Sequence, residues 1–283
     1  MARTTSRFVR STALWCCLFL GCVTSVGAAA PFAETPAPTT FKAAHAELRI
    51  DYWQARQNTI TQFLATTQDL SKVKLVFIGD SITDFWSLDQ NPWAPGKYCG
   101  LQVWNQSFAG TPAQNLALNL GISGDRTEHI LYRLEPRSKG GLGELDRTDL
   151  SPDFIIILAG INNSYNAEMP AADSIFAGVE AIIRSAHVRK PKSRIVLQSL
   201  LPTGDATRNS TVVAPVNERL AELSRSPEFS PYVDFLDLHA AFVDSSGQQI
   251  AADFNDDLHP NKHGYEVWRD ALVARLDSLR AKP

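Results

Sequence analysis

The stretch "KLVFIGDSITDFW" (residues 74–86) runs the apolar segment Val73 to Ile78 straight into Gly79, Asp80 and Ser81. The segment is short, does not alternate and stops at a glycine, the pattern of a strand buried on both faces. Two readings fit the polar cluster that ends it. Gly79 is a good turn residue and Asp80 and Ser81 are good helix N-caps, so a strand-turn-helix junction explains the cluster without chemistry. Alternatively, the strand delivers a serine hydroxyl to the edge of a sheet, where it can act as a nucleophile. The rest of the chain decides between them.

Similar apolar runs recur at Leu116 to Ile122, Phe154 to Ala159, Ile195 to Leu201 and Tyr232 to Leu238. Helical spacing of apolar residues appears from Tyr52 to Thr67, Thr127 to Leu134, Ala171 to Val188, Val212 to Arg225 and Asn261 to Arg280. Five buried strands alternating with helices predict an α/β fold, a parallel sheet with helices on both sides that binds ligands at the carboxyl ends of its strands. No internal repeat or second composition regime divides the chain, so one domain is expected over residues 41–283.

The first thirty residues read differently. Arg3, Arg7 and Arg10 precede the apolar run Ala13 to Val26, and Gly27, Ala28, Ala29 and Ala30 follow, the layout of a secretory signal peptide cleaved after Ala28 or Ala29. The run is shorter than the roughly 20 residues that span a bilayer, which disfavours an anchor. Phe19-Leu20-Gly21-Cys22 resembles a lipoprotein signal but places bulky residues before the glycine. Lipidation at Cys22 is therefore a minor alternative to a free periplasmic or extracellular protein. Residues 31–40, rich in Pro and Thr, read as a tether. Removing residues 1–30 takes away three arginines and no acidic residue, so the net charge falls from −3 to −6. That acidity disfavours nucleic acid as a partner. Cys99 is then the lone cysteine, in no strand-to-helix context, and reads as a partly buried thiol.

Four polar clusters carry candidate chemistry, each at or just beyond a strand's carboxyl end. The first is Gly79-Asp80-Ser81. The second, Asn119 to Thr127, ends the second strand and opens a helix; its two glycines allow backbone N–H groups to approach a ligand, although Asp125 or Thr127 could equally be a plain cap. The third is Gly160-Ile161-Asn162-Asn163, where an asparagine amide could donate to developing negative charge or simply form a turn. The fourth is Asp256 to Tyr265, which opens with Asp256-Asp257-Leu258-His259. Either aspartate there could hold the imidazole by Nδ1, leaving Nε2 free to take a proton from a serine. A metal reading of the same segment is weak, because Pro260 interrupts the His259 to His263 spacing and no HExxH-like set occurs.

As an ordered set, Gly-Asp-Ser, the glycine of the second loop, Gly-x-Asn-Asn and Asp-x-x-His resemble the SGNH, or GDSL, hydrolases over roughly Val73 to Tyr265. "LNLGISGDRTEHILYRL" and "GINN" look most like the branch containing the platelet-activating-factor acetylhydrolase catalytic subunits and secreted bacterial esterases. The resemblance implies a flavodoxin-like three-layer α/β/α sandwich. It places the nucleophile at Ser81 and the oxyanion-hole groups at the Ser81 and Gly124 backbone N–H and the Asn162 side chain. The aspartate and histidine fall on Asp256 and His259, the family's spacing favouring Asp256 over Asp257. Asp80 and Asn163 are expected near substrate. Two departures, Asn163 where many members have Asp and Ile82 in place of Leu, leave the chemistry intact.

The implied function is hydrolysis of short-chain esters through an acyl-enzyme, with no metal or organic cofactor. An acetylated polysaccharide or small-molecule ester is the expected substrate, so a carbohydrate O-acetylesterase leads. A lysophospholipase or short-chain lipase is the alternative. A metal-dependent phosphoesterase, which lacks its early Asp-x-His here, and a non-catalytic polysaccharide-binding module are more remote. The insertion "SLDQNPWAPGKYCGLQ" (residues 87–102) is expected to border the pocket.

Overall fold

The computed structural model describes residues 40–49, 53–165 and 168–281. The segments expected to be a signal peptide, with Cys22, and a tether lie outside the described residues, but for Thr40. From Thr40 onward the chain forms one unit.

Five parallel strands make one sheet in the order β2-β1-β3-β4-β5. They are β1 (Leu75–Gly79), β2 (Ala117–Asn119), β3 (Phe154–Leu158), β4 (Arg194–Gln198) and β5 (Val233–Leu236). Each lies inside or within one residue of an apolar run read from sequence. The edge strand β2 is shortest, because its run bends after Asn119 into a loop held by side chains.

The helices are α1 (Gln54–Thr66), α2 (Ser81–Asp84), α3 (Leu101–Ser107), α4 (Thr127–Leu134), α5 (Ala171–Arg189), α6 (Ala206–Arg208), α7 (Ala214–Arg225) and α8 (Lys262–Arg280). The β1-to-β2 connection steps one way along the sheet and every later one the other way. Right-handed crossovers therefore put α3 on the face opposite α4, α5 and α7. Helix α5 packs between α4 and α7, and α8 packs on α3, completing a three-layer α/β/α sandwich. The direction of travel reverses at β1, so the ligand crevice opens at that strand's carboxyl end.

The core explains the strand sequences. All five residues of β1 and of β3 are buried, as required of central strands covered on both faces. On the α3/α8 side Phe77 meets Trp86, Trp104 and Phe108 edge-on, at centroid distances of 6.4, 5.1 and 5.2 Å. Trp268 of α8 closes the cluster against Trp86 at 5.1 Å. Glycine is required at the end of β1 by space: a Cβ on Gly79 would fall 2.1 Å from Thr83 Oγ1 and 2.4 Å from the Leu158 carbonyl oxygen.

Truncating Phe77 to alanine leaves an aromatic-sized hole in this buried aromatic cluster, and should destabilise the protein by about 3–5 kcal/mol. A denaturant titration of Phe77→Ala against wild type checks this through the midpoint at constant slope.

Candidate active site

The turn that ends β1 carries Ser81 as the first residue of α2. Asp80 precedes it and caps the helix, its Oδ1 accepting the Ile82 N–H at 3.0 Å. With only four residues, α2 makes few bonds of its own, the Phe85 N–H reaching the Ser81 oxygen, and neighbours bond carbonyls beyond that one. The Tyr265 hydroxyl donates to the Ile82 oxygen (2.7 Å), and Asn119 Nδ2 donates to the Thr83 oxygen (2.9 Å). The serine thus sits on a turn tied to both α8 and β2.

His259 arrives from the loop before α8. Its Nε2 lies 2.9 Å from Ser81 Oγ, and its Nδ1 lies 3.0 Å from each Asp256 carboxylate oxygen. Asp256 Oδ1 also accepts the backbone N–H groups of Leu258 (2.8 Å) and His259 (2.7 Å), so one carboxylate shapes the turn and orients the ring. Partial burial would raise the Asp256 pKa, but the His259 ring and these N–H donors outweigh it and hold the carboxyl well below its usual range. Asp257 is directed elsewhere: its backbone oxygen accepts from Gly204 and Gln249, and its carboxylate crowds Gly204. Of the two aspartates, the structure brings to the imidazole Asp256, the one the family resemblance favoured.

The second loop is held from several sides. Ser123 donates through its N–H and hydroxyl to Asp84 Oδ2 (3.2 and 2.7 Å), while Arg56 pairs with Asp84 Oδ1 at 2.8 Å. Gly124 adopts φ +79°, in the region that favours glycine. Asn162 Nδ2 donates one hydrogen to the Asp125 oxygen (2.8 Å) and has a second to give. Among the described residues, neither the Ser81 nor the Gly124 backbone N–H meets an acceptor. Two free N–H groups and one amide hydrogen on adjoining loops are the donors a developing oxyanion requires.

The two residues expected near substrate have other tasks. Asp80 is fully buried and faces the helix it caps. Asn163 is buried too, and its amide is used within the protein. Its Oδ1 accepts the Thr127 N–H (3.0 Å), and its Nδ2 donates to Thr127 Oγ1 (3.1 Å) and Glu128 Oε2 (2.9 Å). Asn163 therefore caps α4 across the loops, where the sequence suggested Asp125 or Thr127 as a local cap.

The insertion at 87–102 wraps the aspartate-histidine turn. Lys97 Nζ donates to the Asn255 oxygen (2.6 Å), Asn255 Nδ2 donates to the Tyr98 oxygen (3.0 Å), and Asn91 Nδ2 donates to Asp256 Oδ2 (3.4 Å). The His259 ring is stacked on Phe85 at 4.9 Å and flanked by Trp93 at 5.5 Å, with Trp93 itself 55% exposed. Trp86 is sealed in the core, and Cys99 is buried, its thiol pushed up to about 12 by burial and then by Asp256 and Asp89. A thiol so protonated is inert. His263 sits in the first turn of α8, bonded to Asp253 at 2.7 Å, and takes no part in the site. Among the described residues, no three His, Cys, Asp or Glu side chains group as metal ligands.

A serine thus bonds to an imidazole, itself held by a carboxylate, at the switch point of a parallel sheet. Residues 77–267 match the GDSL-like Lipase/Acylhydrolase family. The chain belongs to that family. It is 30% identical over 222 residues to the platelet-activating factor acetylhydrolase IB subunit alpha1 of Homo sapiens, a match covering 78% of this chain and 82% of the relative. The Pongo abelii subunit matches at 31% over the same length and coverage. In fold, the chain is similar to a GDSL-like lipase from Bacteroides thetaiotaomicron, with a TM-score of 0.57 at 20% identity over 81% of this chain and all of that one. The protein is a GDSL/SGNH-type serine hydrolase acting on esters.

What sequence reasoning missed in this hydrolase is the charged scaffold beneath the loops. Arg133, Glu144, Arg49 and Arg56 come from four separate segments, and no local pattern marks them as partners of the second loop. Asp80 has its own signature. Burial raises its carboxyl to about 7, against the Ile82 N–H bond, and its Oδ2 has no partner. An unfolded carboxyl titrates near 3.8, so the folded state binds the extra proton, and this stability is complete below about pH 4 and lost as pH rises through about 7. Asp80→Asn keeps a capping oxygen and cannot ionise. It should remove a penalty of up to about 4 kcal/mol at neutral to alkaline pH and change little in acid. Urea midpoints of the two proteins at about pH 4 and about pH 8 test this sign.

Proposed function

We propose that this hydrolase removes short acyl groups, acetyl first, through an acyl-enzyme formed on Ser81. His259 Nε2 takes the hydroxyl proton as Oγ attacks the carbonyl, and Asp256 stabilises the imidazolium that results. The Ser81 and Gly124 N–H groups and the second Asn162 amide hydrogen receive the oxyanion. The leaving alcohol takes the proton from His259, and water repeats the cycle on the acylated serine. The observation that carries this reading is the continuous Ser81, His259, Asp256 hydrogen-bond chain, with contacts of 2.9 and 3.0 Å.

For the alcohol, the relatives' names weigh toward the lipase-type alternative, since they are acetylhydrolases of platelet-activating factor and a GDSL-like lipase. A short-chain ester of a lipid alcohol is accordingly the first substrate class. The carbohydrate O-acetyl ester remains a second reading because of Trp93, an exposed aromatic face beside His259 that would stack on a sugar ring. We further propose export, with cleavage after Ala28 or Ala29, which supports a periplasmic or extracellular substrate; the mass of the mature chain tests it. The hydrolase domain is taken as residues 41–283.

Hydrolysis of 4-nitrophenyl acetate, butyrate and octanoate, an acetylated glycerophospholipid and acetylated xylan by wild type and variants decides among these. Ser81→Ala should abolish turnover, and Asn162→Ala should cut it by about 10²–10³-fold. Turnover should fall steeply beyond acetate and be unaffected by a chelator. Activity that survives Ser81→Ala would overturn the acyl-enzyme. A Trp93→Ala loss confined to xylan would favour the sugar.

A further inference from the structure

Arg49 precedes α1 and lies outside the 77–267 span that matches the family. Its side chain nevertheless reaches the second loop and is only 6% exposed there. Its Nη1 donates to the Ser123 oxygen at 2.8 Å and to Asp125 Oδ1 at 2.9 Å, the residues on either side of Gly124. The guanidinium lies over Gly124 itself, since a Cβ at that position would fall 2.7 Å from Nη2. From these contacts we propose that Arg49 is a positioning residue for catalysis, fixing the direction of the Gly124 N–H from the N-terminal segment. The proposal rests on Gly124 being an oxyanion donor.

The argument is one of peptide geometry. The Ser123 carbonyl and the Gly124 N–H belong to one planar trans peptide, so they point in opposite directions and cannot turn independently. A donor that captures the carbonyl from one side therefore aims the N–H to the other. Glycine has no side chain to restrain this peptide and is the most permissive residue, so the restraint has to come from outside. Donation to the carbonyl also polarises the amide and strengthens its N–H as a donor. The same segment is laced to the loops at other points, which fixes where Arg49 starts. Glu168 accepts the N–H groups of Lys42 (2.6 Å) and Ala43 (3.0 Å), Thr127 Oγ1 donates to the Ala43 oxygen (2.9 Å), and the Glu47 N–H donates to the Glu128 oxygen (3.0 Å).

The test is steady-state hydrolysis of 4-nitrophenyl acetate by the full chain as wild type, Arg49→Ala, Arg49→Lys and Ser81→Ala. Loss of an oxyanion donor costs about 10²–10³-fold, so a misdirected one should lower kcat of Arg49→Ala by about 10- to 100-fold while KM stays within about twofold. Arg49→Lys, which keeps an N–H for the Ser123 carbonyl, should recover most of kcat, and added guanidinium ion should restore part of it to Arg49→Ala. If Arg49→Ala does not fold, Arg49→Met keeps the buried stem and is read in the same way. Wild-type kcat in the alanine or methionine protein, or equal losses in Arg49→Lys and Arg49→Ala with no response to guanidinium, would overturn the positioning role. Activity in Ser81→Ala would instead overturn the underlying reading of the site. An inactive Ser81→Ala beside Arg49 variants at wild-type kcat would sink this inference alone.

Discussion

One buried cation organises the carboxyl end of the sheet. Arg133 of α4 is 2% exposed, yet it donates to Asp125 Oδ2 (2.8 Å), Glu144 Oε2 (2.5 Å) and the Leu120 oxygen (2.8 Å), with the Gly79 oxygen at 3.4 Å. It therefore touches the last residue of the strand that leads to Ser81 and the loop that carries Gly124. Through Asp125, whose backbone oxygen binds Asn162, it reaches the third loop as well. Removing a guanidinium from water costs several kcal/mol, and the arrangement is tolerable because carboxylates and carbonyls satisfy its donors. Its partner Glu144 illustrates the balance: burial raises its carboxyl pKa, and Arg133 opposes that shift. The Ser81, Gly124 and Asn162 loops are thus fixed relative to one another by a single polar network beneath them.

The aspartate-histidine turn is placed by a separate set of contacts. Its ring rests on Phe85, its aspartate is approached by Asn91, and its backbone is pinned by Lys97 and Asn255. Phe85 directly follows α2, and Asn91 and Lys97 lie in the insertion after it, so the segment that bears Ser81 also supplies the wall behind His259. A short helix capped by Asp80 and a loop wrapped on the far turn place Ser81 and His259 within hydrogen-bond reach without either lying on a regular strand. Rigid elements carry the loops, and the loops carry the chemistry.

The amino-acid order alone determined the layer architecture. Apolar runs such as Val73 to Ile78 and Phe154 to Ala159 are too short for helices and too uniform for half-exposed strands, so burial on both faces, and with it a parallel sheet, is written into their local pattern. It also determined which residue types stand at the strand ends. The ordered Gly-Asp-Ser, Gly, Gly-x-Asn-Asn and Asp-x-x-His set marked Ser81, Gly124, Asn162 and His259, because each motif is contiguous or nearly so.

Only the tertiary structure gave the physical grounds that separate neighbours, where the residues by themselves left two aspartates open and a family resemblance alone favoured Asp256. Asp256 and Asp257 differ by one position, and the turn sends one carboxylate to His259 and the other toward Gly204. Asp80 and Asn163 sit beside the candidate site in sequence but face inward as caps, since their side chains lie on the buried side of their turns. Arg49, Arg133 and Glu144 come together across nearly a hundred residues, and no local periodicity encodes such a meeting. Their convergence depends on where the packed helices carry them, because burying a charge demands partners from whichever segment the fold brings near.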